Sequence, residues 1–111
     1  SWYLARVATA SFEWDEDKNT ANIFKHGIDF WDAIYIWNDR LRQERYDIEH
    51  STANEDRWQT IGMSRFGVLM VVYTDKVHFE ESNVRIISAR KAEPHEIKKY
   101  QSMTYSTGAL S

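Results

Sequence analysis

The sequence predicts a single α+β domain, and three observations carry that prediction. The chain has 111 residues, the size of one hydrophobic core with no room for a second. Its N-terminal third shows helix caps and helical apolar spacing, whereas residues 40–89 read as successive β-branched or alternating segments. Glu93, Pro94 and Glu96 then open one last helix. In order the elements are β-α-α-β-β-β-α, which segregates the helices from a mainly antiparallel sheet of about four strands.

Each element has a local reason. Phe12-Glu13-Trp14 alternates as a short strand does. Asp15 is an N-cap, followed by Glu16 and Asp17 in a first turn where the helix dipole favours acids. This first helix is expected to turn Ala21, Phe24 and Ile28 inward. Lys18, Asn22, Lys25 and Asp29 would form a separate polar stripe. Gly27 fits the left-handed position after His26. Asp29 caps a second helix with Phe30, Ala33, Ile34 and Trp37 on one apolar face, ended by Asn38-Asp39.

Arg40 to Ile48 reads as a weak, polar edge strand, His50 to Asp56 as a loop and Arg57 to Met63 as a strand. Ser64-Arg65-Phe66-Gly67 is a turn, and Val68 to Thr74 is the best central strand. Asp75 to Ser82 reads as a polar loop and Asn83 to Ala89 as another strand. The domain is expected to span residues 12–101. Residues 1–11 are then an N-terminal extension, and residues 102–111 a Ser/Thr-rich tail that frays.

Composition narrows the class. Hydrophobic residues make up 42% and aromatic residues 14%, too many for a disordered chain. Cysteine is absent, which removes disulfides, thiolate metal sites and Cys nucleophiles and suits the reducing cytoplasm. The longest apolar run, Val68 to Tyr73, is far short of the ~20 residues that span a bilayer, and no signal-peptide pattern opens the chain. A net charge of −3 argues against non-specific nucleic-acid binding. The distribution is uneven, however: Glu13, Asp15, Glu16 and Asp17 cluster early, and Arg85, Arg90, Lys91, Lys98 and Lys99 crowd the last third.

Several residues are candidates for chemistry. Of His26, His50, His78 and His95, no two stand at metal-ligand spacing, and Asp47 with His50 is only a weak pair of ligands. No metal or cofactor is expected, and no phosphate-cradling glycine loop or nucleophile elbow is present. His26, at a helix C-terminus, reads either as a protonated general acid or as a simple cap. In the run Arg85-Ile86-Ile87-Ser88-Ala89-Arg90, alternation places Arg85 and Arg90 on opposite faces unless a bulge intervenes. Either arginine suits phosphate recognition or a carboxylate partner on a helix. Glu96 reads as a helix cap, and Tyr100 as a core aromatic with its hydroxyl at the rim. The tryptophans fall on element faces, where core packing explains them better than base stacking.

These residues also form a familiar series. Trp14-Asp15, Lys18, Asn22, Lys25-His26-Gly27, Phe30 and Ala33 open it. Glu55, Arg57, Ile61 and Gly62 follow, then Val71-Val72-Tyr73-Thr74, the run Arg85 to Ala92, Glu96 and Tyr100. From Phe12 to Tyr100 the chain resembles the BrnT toxin family. The resemblance implies a RelE-like fold and a cytoplasmic bacterial ribonuclease that stops translation. It also implies neutralisation by a BrnA-type antitoxin, with operator DNA reached only through the toxin–antitoxin complex, and no membrane partner.

The family motif falls on Lys25, His26, Arg57, Arg85, Arg90, Glu96 and Tyr100. Metal-independent RNA cleavage needs a base for the 2′-hydroxyl, an acid for the 5′-oxygen and cations around the phosphorane. The resemblance thus implies His26 as acid or base, and Lys25, Arg57, Arg85 and Arg90 on the phosphate with Lys91 as a further substrate contact. Tyr100 would be an orienting hydroxyl, and Glu96 or Glu55 a base. The alternative is a catalytically inactive, toxin-like module that binds an antitoxin and tunes operator repression. Catalysis requires that the imidazole closing the first helix and the late arginines share one solvent-open hollow.

Overall fold

The computed structural model describes residues 1–78 and 81–107. Among them six strands form one mixed sheet in the order β1-β2-β6-β5-β4-β3. The elements are β1 (Trp2–Val7), β2 (Ala10–Asp15), α1 (Glu16–His26), α2 (Phe30–Ala33), a 3₁₀ turn (Ile34–Asn38), β3 (Gln43–Tyr46), β4 (Arg57–Ser64), β5 (Gly67–His78), β6 (Glu81–Lys91) and α3 (Pro94–Gln101). The α+β class holds, but the sheet is larger than about four strands, and β2 pairs with β6 in parallel.

The local signals act as chemistry requires. Asp15 accepts from the Asp17 amide and Asp29 from the Trp31 amide, each capping its helix. Gly27 takes φ +72° at the end of α1, and Gly67 takes φ +100° in the β4–β5 turn, conformations that disfavour a Cβ. The Glu96 carboxylate accepts from the Glu93 amide at 2.8 Å, with Pro94 opening α3. β5 is central and β3 lies at an edge.

The main core lies on one face of the sheet. Phe12, Trp14, Leu69, Val71, Val84, Ile86 and Ala89 meet Phe30, Ala33, Ile34 and Ile36 there. A smaller cluster of Ile61, Tyr100 and Tyr105 packs α3 on the opposite face. β4 and the 3₁₀ turn approach so closely at Gly62 that a methyl group there would stand 2.9 Å from Ile36 Cβ.

Several expectations need correction. Residues 1–11 are not an appendage: β1 pairs antiparallel with β2 over its length, and Val7 and Ala10 are buried. The polar run from Asp75 continues β5 to His78, because antiparallel pairing with β6 satisfies its backbone whatever its side chains. The tail is anchored by Tyr105, fully buried, whose amide donates to the Gln43 side chain. The last four residues of that tail lie outside the described residues, as does the side chain of His78.

Helix α1 departs furthest from its apolar pattern. Phe24 is 94% exposed, whereas the buried positions of the helix are Asn19 and Asn22. β2 covers β6 only as far as Arg85, so the next stretch of β6 has an open edge. Asn22 supplies that edge: its amide donates to the Ala89 carbonyl at 2.8 Å and accepts from the Ala89 amide at 3.0 Å. A side-chain amide thus stands in for a neighbouring strand. Asn19 similarly ties α1 to the Phe30 amide and the Asp29 carboxylate.

Candidate active site

The face of the sheet opposite the main core is covered by α3 at one end only. Alternate residues Met70, Val72 and Thr74 of β5 pair with Arg90, Ser88 and Arg85 of β6, and with Ile61, Gln59 and Arg57 of β4. Paired residues share a face, so Arg57, Arg85 and Arg90 all lie on this one. The register slips between Val72 and Tyr73, which leaves Ile87 as an extra residue in β6. That bulge is the condition under which two arginines five residues apart can face the same way.

A hollow of about 310 Å³ opens on this face, lined by Asp47, His50, Arg57, Gln59, Ser88 and Arg90 among others. A second hollow of about 220 Å³ adjoins it and holds Lys25 and His26. The two share Ile87 and Ser88 as their common wall. The Asn22 bonds to β6 therefore bring the C-terminal end of α1 to the bulge.

Charge and hydrogen bonding set the state of each group. Arg90 makes a two-pronged pair with Glu96, at 2.8 and 3.1 Å, and Glu96 is nearly buried. Burial alone would raise the Glu96 carboxyl, but Arg90 and the Glu93 amide outweigh it and hold the group below its ordinary range. The same pair raises the Arg90 guanidinium. Arg57 bonds Glu55 at 2.9 Å.

His26 is shifted downward by burial first, then by the positive charges of Lys25 and Arg90. This direction runs against the expectation that the helix end favours the protonated form, because desolvation and the two neighbouring cations each disfavour charge on the ring. A neutral imidazole near pH 7 accepts a proton more readily than it gives one.

The other candidate residues point elsewhere. Arg85 shares the face but pairs with Glu13 at 3.5 Å and stacks on Trp2, 4.5 Å from the ring centre. The hollow that holds Arg57 and Arg90 does not include it. Lys91 pairs with Leu69 on the core-facing side and lines a hollow with Gly27, Asp29 and Phe66. Tyr100 donates to Asp39, and burial with that carboxylate pushes its phenol up to about 12. The hollow with the two arginines does not include it.

Two residues at or beneath the hollow escaped the sequence reading. Gln59 bonds Arg45 at 3.0 Å and the Tyr105 hydroxyl at 3.3 Å. Tyr105 reaches beneath the site from the tail, with the Arg45 guanidinium 4.4 Å from its ring centre. Asp47 and His50 had a sequence signal, their three-residue spacing. They do meet, at 3.0 Å, yet among the described residues no group of three ligand-type side chains completes a metal site around them.

Comparison with known families decides the class. A family model described as the ribonuclease toxin BrnT of type II toxin–antitoxin systems matches residues 14–96, most of the chain. The chain belongs to the BrnT family. The match contains His26, Asp47, His50, Arg57, Arg90 and Glu96; β1, Tyr100 and Tyr105 lie outside it. No curated protein matches the chain. Among the described residues of this BrnT protein, no helix is long and apolar enough to cross a membrane.

Proposed function

We propose that this BrnT protein cleaves RNA on the open sheet face by metal-independent attack of the 2′-hydroxyl on the adjacent phosphate. Its targets would be cytoplasmic RNAs needed for translation, and a BrnA-type antitoxin would hold it silent and carry the complex to operator DNA. The observation that carries the reading is the bulge at Ile87, which turns Arg90 onto the face of Arg57 beside the hollow of His26.

In this reading Arg57 and Arg90 bind the scissile phosphate and hold the charge of the phosphorane. Lys25 adds a cation at the rim. His26, neutral near pH 7, takes the 2′-hydroxyl proton. Glu96, engaged by Arg90 and the Glu93 amide, positions the arginine. Arg85, Lys91 and Tyr100 are removed to outer substrate contact or to structure. The RelE-like description implied by the family resemblance is compatible with this placement.

The test is cleavage of RNA by the purified protein and by His26→Ala and Arg90→Ala. Each variant should lose about 10²-fold or more, with growth arrest lost when it is expressed without antitoxin. Wild-type cleavage by both folded variants would overturn this site. Growth arrest without any RNA loss would overturn the activity.

A further inference from the structure

Cleavage through a 2′-hydroxyl moves two protons, one off the nucleophile and one onto the leaving oxygen. The reading above supplies a group for the first only. Glu96 and Glu55 are both bound to arginines, at 2.8 and 2.9 Å. Yet the arginine hollow contains a second imidazole, that of His50.

His50 is built as a held, projecting group. Its Nδ1 stands 3.1 and 3.0 Å from the two oxygens of Asp47. The His50 side chain is 62% exposed, whereas that of Asp47 is 5% exposed. The carboxylate also accepts from the His50 amide at 3.3 Å, and Gln59, which lines the same hollow, is held by Arg45 and Tyr105. With Nδ1 committed to Asp47, Nε2 is the nitrogen left for substrate. A carboxylate behind an imidazole fixes its tautomer and stabilises the ring once protonated. The charged groups around the ring are Asp47, Arg57 and Arg90. Glu49 lines a separate hollow beyond Asp47.

We propose that His50, oriented by Asp47, is a second catalytic histidine and the general acid of this ribonuclease, acting opposite His26. The proposal rests on the open face being the RNA-cleaving site. His26 accepts the 2′-hydroxyl proton as the 2′-oxygen bonds to phosphorus. The bond from phosphorus to the 5′-oxygen breaks, and that oxygen takes the proton from His50 Nε2. The products are a 2′,3′-cyclic phosphate and a 5′-hydroxyl end, with no change of oxidation state. Asp47 is a positioning residue. His50 reaches in from beyond β3 and His26 from beyond the edge of β6, so the two rings flank the arginines across the sheet.

The experiment uses an RNA oligonucleotide that the wild-type protein cuts, and the same oligonucleotide with sulfur replacing the bridging 5′-oxygen at the cut bond. A thiolate leaves without needing a proton. His50→Gln should lose about 10²–10⁴-fold on the oxygen substrate and return close to the wild-type rate on the sulfur substrate. His26→Ala should stay impaired on both. Asp47→Asn should lose less than His50→Gln, recover on sulfur, and alter the alkaline limb of the pH–rate profile, which a merely structural defect would leave in place. Equal losses of His50→Gln on both substrates, or none on either while Arg90→Ala is inactive, would overturn the proposal and leave the site standing. Undiminished cleavage by Arg90→Ala and His26→Ala would remove the site itself, and the proposal with it.

Discussion

Arg90 is held by a structural ion pair and still faces the open hollow. Its side chain is 29% exposed and gripped by a carboxylate side chain that is 5% exposed, so its fork is held in place, as the proposed phosphate contact requires. Glu96→Gln removes the charge behind that fork. Allowing for solvent around Arg90, the loss of stability should be about 1–2 kcal/mol, read by urea unfolding at pH 7, with RNA cleavage reduced as well. The pH dependence has a definite sign. The folded Glu96 carboxyl is held low, as are those of Asp39 and Asp47, where hydrogen bonds outweigh burial. Their contribution is therefore full above the ordinary carboxylate value, about 4.3 for Glu, and is lost as pH falls through the folded values. Urea midpoints should decline below about pH 4.3, and less steeply in Glu96→Gln; an equally steep decline would show that this pair contributes nothing to acid unfolding.

Helix α1 and strand β6 form the joint that assembles the site. Asn22 bonds both backbone groups of Ala89 and the Ile28 carbonyl, so the helix docks through an amide where an apolar stripe was expected. Asn22→Leu adds hydrophobic surface at a buried position, yet it should cost about 2–4 kcal/mol, because the Ala89 amide and carbonyl lose their partner away from water. Faster hydrogen exchange at the Ala89 amide would report the opened edge, and an unchanged or higher unfolding midpoint would refute the account. Gly62 marks a second joint. Gly62→Ala drives a methyl group against Ile36 and should lower stability by about 1–3 kcal/mol, visible as a lower melting temperature.

Charge separation across the fold reconciles an acidic chain with the proposed phosphate-binding face. Helix α1 carries Glu16 and Asp17 in its first turn and Lys25 and His26 in its last. Over its 11 residues that separates the acids from the site by about 16 Å, while Glu13 is engaged by Arg85. RNA cleavage below saturation should therefore weaken steeply as salt is raised, despite a net charge of −3; a salt-independent rate would argue against phosphate contacts by Arg57 and Arg90. The tail matters at the same range. Tyr105 fills the second core cluster and bonds Gln59 beneath the hollow. Tyr105→Ala should cost about 3–5 kcal/mol, as large-to-small aromatic changes in cores do, and chain cut after Ser102 should melt at a correspondingly lower temperature.

What the amino-acid order determined by itself was everything decided within one or two turns of chain. The aspartate caps, the glycine ending α1, the β4–β5 turn, the capped start of α3 and the apolar central strand were all legible, and the cations of the proposed site were visible as residue types. Only the tertiary structure decided which of them meet. The parallel pairing of β2 with β6 leaves an edge that Asn22 fills from 67 residues away. The slip opposite Tyr73 reverses the side on which Arg90 emerges, and Tyr105 returns 46 residues along the chain to Gln59. The physical reason is that helix caps and turns close hydrogen bonds between near neighbours, whereas strand register and edge coverage depend on partners that only packing brings together.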